Sequence, residues 1–239
     1  ACLGVVSKTD VLGMWYAGIG LETGVGEFTV GEPICCRPED KLETALDVML
    51  ENGIRRAYVR EESGGEIMGV VGYADVVGAM YRFCIRCRQN LYRVESMSFE
   101  SHGWLTAADV MHRGVTGCAP SDPMQLALEL LLEGGMGAVA VFGDSGLCPE
   151  GVLSMTDAVH AYRHGLDLGA PVKRVMSTPV LFCRESDSLS ASLRIMILAD
   201  VQRIFVYETR RRAVAGVLSL TDAARTRSGA CKACRAARL

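Results

Sequence analysis

Apolar residues recur along this chain in two alternating rhythms, and the alternation itself repeats. Leu42, Ala45, Leu46, Met49 and Leu50 fall at i, i+3, i+4, i+7 and i+8, one apolar stripe on a helix expected to start at Asp40. The short apolar runs Ala57-Tyr58-Val59 and Gly69-Val70-Val71 flank a polar turn at Ser63-Gly64-Gly65 and predict two neighbouring strands. With a strand around Ile34-Cys35-Cys36 before the helix and a helical stretch after Asp75, the segment reads β-α-β-β-α. The order returns with a strand ending at Cys118, a helix containing Leu126, Leu128, Leu130 and Leu131, a strand over 138–141 and the turn Gly143-Asp144-Ser145-Gly146. It returns again as Val180-Leu181-Phe182, a helix over 189–198, a strand at Ile204-Phe205-Val206, a turn over 209–211 and a strand from Ala215.

The last strand of each unit runs into a shared signature. It reads Gly4-Val-Val-Ser-Lys-Thr-Asp10, Gly69-Val-Val-Gly-Tyr-Ala-Asp75, Gly151-Val-Leu-Ser-Met-Thr-Asp157 and Gly216-Val-Leu-Ser-Leu-Thr-Asp222. The aspartates are separated by 65, 82 and 65 residues, so the chain is a pair of pairs with a larger period of 147. Residues 1–19 hold only the strand end, signature and helix of a first unit, whose opening is expected roughly 43 residues before Ala1 by that period.

Ser-x-x-Asp at the end of a buried strand opens a helix. Free backbone N–H groups in the first turn, a hydroxyl beside them and the positive end of the dipole favour a bound phosphate or other anion. A carboxylate beside such a cradle would repel the phosphate, so the aspartate has two other uses: it accepts hydrogen bonds from sugar hydroxyls, or it caps its own helix. Both readings stand on the sequence alone.

Composition narrows the class. The chain has 239 residues, 49% hydrophobic and 22% charged, which suits a folded protein of one or two domains. A net charge of −3 and a pI of about 5.9 give no basic field for a nucleic acid. The most apolar region, 125–143, carries Glu129, Glu133 and several glycines and cannot span a bilayer, and a cytoplasmic location is expected. Ten cysteines in such a chain read as reduced thiols, with Cys36, Cys118 and Cys183 at one shared core position of the repeat.

The β-α-β-β-α unit ending in Gly-h-h-Ser/Thr-x-x-Asp resembles the cystathionine β-synthase (CBS) domain, and two in tandem resemble a Bateman module. The resemblance implies an α/β (α+β) fold of tandem CBS repeats paired into two modules. Its domains would be a remnant of repeat one with a linker (1–27), repeat two (28–83), a linker (84–103), repeat three (104–165), repeat four (166–228) and a tail (229–239). It implies a regulatory protein, not an enzyme, with clefts for AMP, ADP, ATP or S-adenosylmethionine, and a protein target or homodimer partner. Carried over by position, the hydroxyls of Ser7, Ser154 and Ser219 would contact phosphate, with Thr156 and Thr221 as the second hydroxyl positions, and Asp10, Asp157 and Asp222 would contact ribose. Repeat two departs from the pattern: Gly72 and Ala74 replace both hydroxyls, leaving Asp75 for a ribose.

Two further motifs compete. Cys84/Cys87 and Cys231/Cys234 stand nine and twelve residues after Asp75 and Asp222, so four thiolates can hold zinc or an iron–sulfur cluster where the fold brings the pairs together. The alternatives are local redox pairs or free thiols, and from the motif follows a second function, a metal or redox module. Asp157, His160 and His164 share a helical face with weak metal-ligand spacing, and solvated histidines are the preferred reading of it. No nucleophile arrangement, Walker loop or dinucleotide glycine motif occurs, which leaves catalysis to a larger enzyme of which this would be a regulatory fragment.

Overall fold

The serine of an intact signature folds back on the helix it precedes, which fixes where each of these helices begins. In the computed structural model, which describes residues 3–61, 65–79, 81–82, 105–134 and 137–226, α1 spans Lys8–Tyr16 behind Ser7. A single 3-10 turn, Val25–Glu27, follows in the glycine-rich connection. Repeat two supplies β1 (Cys35–Cys36), α2 (Leu42–Glu51), β2 (Arg56–Val59), β3 (Gly69–Gly72) and a helix α3 over residues 73–79. Repeat three supplies α4 (Ala107–Val110), β4 (His112–Arg113), β5 (Gly117–Cys118), α5 (Met124–Glu133), β6 (Ala138–Phe142), β7 (Pro149–Ser154) and α6 (Met155–Arg163). Repeat four supplies β8 (Phe182–Arg184), α7 (Leu189–Leu198), β9 (Arg203–Glu208), β10 (Ala213–Ser219) and α8 (Leu220–Arg225).

Repeats two, three and four each form one small mixed sheet: β1-β2-β3, β5-β6-β7 and β10-β9-β8, the last extended by β4 of repeat three. Within a repeat the first of these strands in chain order (β1, β5 or β8) is parallel to the second and the third antiparallel to it. β8 begins at Phe182, two residues beyond the predicted start at Val180. Its register pairs Phe182 with Phe205, and the rings lie 6.1 Å apart.

Repeats three and four exchange their opening segments. β4 of repeat three pairs antiparallel with β10 of repeat four, and Ser177 of repeat four bridges Val152 on β7 of repeat three. The backbone of Ala107 donates to Asp187 at 2.8 Å, and that of Met124 donates to Ala170 at 2.9 Å. Polar backbone groups that have no ladder in their own repeat thus find partners in the neighbour.

The apolar faces meet in two cores that cross between the modules. Ala45, Met49, Tyr73, Val76 and Val77 of repeat two bury against Leu193, Met196, Ile204, Leu218 and Ala223 of repeat four. Leu12 and Trp15 of repeat one bury against Leu128, Leu131, Ala158, Ala161 and Tyr162 of repeat three. The Trp15 and Tyr162 rings stack at 5.7 Å, and the Tyr162 hydroxyl donates to the Ile19 carbonyl. Cys36, Cys118 and Cys183 are buried, as their shared position implies.

Candidate functional site

The signature aspartates lie at one geometric position in every repeat. Asp157 Oδ2 accepts the Ser154 backbone N–H at 2.8 Å and its hydroxyl at 2.6 Å. Asp222 Oδ2 accepts from Ser219 at 2.9 and 2.5 Å, and Asp10 Oδ2 from Ser7 at 2.7 and 2.7 Å. Each serine oxygen in turn accepts the aspartate's own backbone N–H, completing a capping box. Of the two readings left open by the sequence, helix capping is the one these side chains adopt here. Repeat two keeps half of it: without a hydroxyl, Asp75 Oδ2 accepts only the Gly72 backbone N–H, at 2.9 Å.

The second oxygen of the aspartate faces a residue from the partner repeat. Ser177 donates its hydroxyl to Asp157 Oδ1 at 2.9 Å, and His112 Nε2 lies 3.0 Å from Asp222 Oδ1. The two contacts are related by the exchange of opening segments. Ser177 bridges Val152, five residues before Asp157, and His112 pairs with Val217, five residues before Asp222. In the first pair the equivalent register is Val5 with Val30, so an apolar side chain takes this place beside Asp10. A cleft of about 360 Å³ opens there, bordered by Asp10, Met14, Ile19, Phe28 and Val30.

Positive charge gathers where the signature helices begin. Lys8 Nζ donates to Thr156 Oγ1 at 2.5 Å, joining α1 to the first turn of α6. Gly137 accepts the backbone N–H of Met155, the first residue of α6, and Gln202 that of Leu220, the first residue of α8. A methyl group on Gly137 would collide with Arg203 Nη2 and lie 2.9 Å from Arg55 Nη1, so two guanidinium groups converge over this glycine. Burial first, and then the Arg55 charge, lower Arg203 to about 10, with Asp222 opposing both. Repeats two, three and four therefore each contribute to one spot.

Sequence reasoning missed His112, Ser177, Arg55, Arg203 and Lys8. A signal existed for two of them, since Val110-Met111-His112 and Val175-Met176-Ser177 share a Val-Met pair 65 residues apart. Thr156 lies on the α1–α6 contact, while Thr221 is half-buried in α8. His160 and His164 are exposed, and no group of three metal-ligating side chains occurs among the described residues. Cys84, Cys87, Cys231 and Cys234 lie outside the described residues. No described helix is long and apolar enough to cross a membrane.

Comparison with known proteins agrees with this repeat pattern. The family model of the CBS domain matches residues 25–82, 107–164 and 172–229. Among solved structures, protein MJ1225 of Methanocaldococcus jannaschii, described as a proposed archaeal homolog of g-AMPK, is similar with a TM-score of 0.75 and 14% identity over 94% of this chain and 83% of its own. An uncharacterized conserved protein of Pyrococcus horikoshii is similar with a TM-score of 0.62 and 18% identity over 84% of this chain and 81% of its own. No curated protein sequence matches the chain.

Proposed function

The chain belongs to the CBS-domain family, and from that premise we propose that it is a regulatory module whose repeat clefts bind a phosphorylated adenosine ligand. The observation that carries the phosphate is the convergence of Arg203 and Arg55 over Gly137, next to Asp222. A carboxylate suits sugar hydroxyls, two guanidinium groups suit a phosphate, and here they stand side by side. Ligand binding would transfer Asp222 Oδ1 from His112 to the sugar, while Oδ2 stays in the helix cap. The same transfer at Asp157 would release Ser177. Asp10 and Asp75 would serve the first pair in the same way, with Ser7 and no serine respectively beside them. Thr156 and Thr221 complete the hydroxyl positions of the second pair, and a protein target would read the resulting change.

Calorimetry with AMP and adenosine on the whole chain tests this reading. Asp222→Asn keeps an acceptor for the cap but loses the charge, and is expected to weaken both ligands about ten- to a hundredfold, as loss of a charge-assisted hydrogen bond of ~1.5–3 kcal/mol requires. Arg203→Met is expected to weaken AMP and leave adenosine unchanged. Equal affinity of wild type and both variants for AMP would remove the assignment.

A further inference from the structure

Across the repeat boundary, the position paired with the valine five residues before three of the four signature aspartates carries three different side chains: Val30 beside Asp10, Ser177 at Asp157 and His112 at Asp222. Each side chain comes from the partner repeat, and the two polar ones hold the one carboxylate oxygen that the capping box leaves over. We infer that this position is the specificity gate of the clefts, and that His112 makes the cleft of repeat four discriminate against neutral sugars as pH falls. The inference rests on the ligand reading above and concerns which cleft takes which ligand.

The chemistry follows from what a sugar must displace. At Asp157 a sugar hydroxyl replaces the serine hydroxyl, one neutral donor for another, and the exchange is independent of pH. At Asp222 it replaces an imidazole, which donates as a neutral group at high pH and as a cation at low pH. The protonated form holds the carboxylate with a full charge, so a neutral ligand competes less well in acid. The charged groups around this pair are Asp222 on α8, Arg203 on β9 with Arg55 beyond it, and Arg113 next along β4. The His112 side chain is 79% exposed, so it swings out without disturbing a core. At Asp10 the gate is apolar, and the carboxylate borders an open cleft with Glu27 as the other charged group of its lining.

Adenosine is the probe, because it lacks a titrating phosphate. Its affinity for the whole chain is measured at about pH 5.5 and about pH 8, alongside the His112 ring resonance, which is assigned by its loss in His112→Ser. In wild type, adenosine is expected to shift that resonance, and binding to the responding cleft to weaken about fivefold between the higher and the lower pH, the size of an exposed ion pair. His112→Ser is expected to abolish the pH dependence, and Ser177→His to add a second pH-dependent cleft. Adenosine binding whose pH dependence is the same in wild type and His112→Ser would overturn the gate and leave the ligand reading intact. No adenosine or AMP binding by wild type or either variant at either pH would overturn the ligand reading, and the gate with it.

Discussion

Asp109 accepts the Thr106 backbone N–H and hydroxyl, each at 2.8 Å, and the backbone bond first, then the hydroxyl, hold its carboxyl below the usual carboxylate range. A depressed folded value means that the group stabilises the protein above its unfolded pKa of ~3.9 and ceases to do so as pH falls through the folded value. Asp109→Asn is therefore expected to lower the neutral-pH melting temperature slightly and, by the same contribution, to flatten part of the loss of thermal stability below about pH 4. An acid limb identical to wild type would contradict it. The buried cysteines behave in the opposite sense: desolvation, aided by Asp122, pushes the Cys118 thiol up to about 11. Their burial was legible in the sequence, because three cysteines recurring at one strand position mark a core site. The contacts of Arg203 were not, because arginine gives no periodic signal of what it faces.

At the scale of the element, α2 and α7 end in the same motif with different residues at its crucial position. After α2, the Gly53 N–H donates to Leu50 and the Ile54 N–H to Met49, at 3.2 and 3.0 Å, with Gly53 at φ 63°. After α7, the Asp200 N–H donates to Ile197 and the Val201 N–H to Met196, at 3.4 and 3.0 Å, with Asp200 at φ 51°. This is a left-handed helix stop, and a side chain there costs energy that glycine avoids. Asp200→Gly is expected to stabilise the protein by ~1 kcal/mol and to raise the melting temperature by about 2–4 °C. A lower midpoint in calorimetric melts would show that the Asp200 side chain compensates for its backbone. Helix interiors here followed from apolar spacing alone. The short β4 and α4 did not, since four residues or fewer carry no measurable period.

Across the whole molecule, α1 is held by repeat three through Leu12, which is 0% exposed, and through the Trp15–Tyr162 stack. Emptying that site should weaken one core and spare the other. Leu12→Ala is expected to cost about 2–5 kcal/mol. Its effect in native-state hydrogen exchange should fall on α5 and α6 before α2 and α7. Faster exchange in α2 and α7 alone would mean that the two cores are not the cooperative units their packing implies.

The sequence by itself determined the repeat, its β-α-β-β-α order, the helices opened by Ser-x-x-Asp and the aspartates that cap them. These depend on apolar periodicity and on interactions within three or four residues, which a linear chain displays directly. Tertiary structure alone decided that repeat one shares a core with repeat three and repeat two with repeat four, and that opening segments cross within the second pair. It also decided that His112 meets Asp222 and that Arg55 and Arg203 meet over Gly137. The reason is degeneracy: similar repeats offer similar apolar faces, and the same pattern permits several pairings. The choice among them is made by the fit of side chains distant in sequence, and it fixes which residue stands opposite each aspartate.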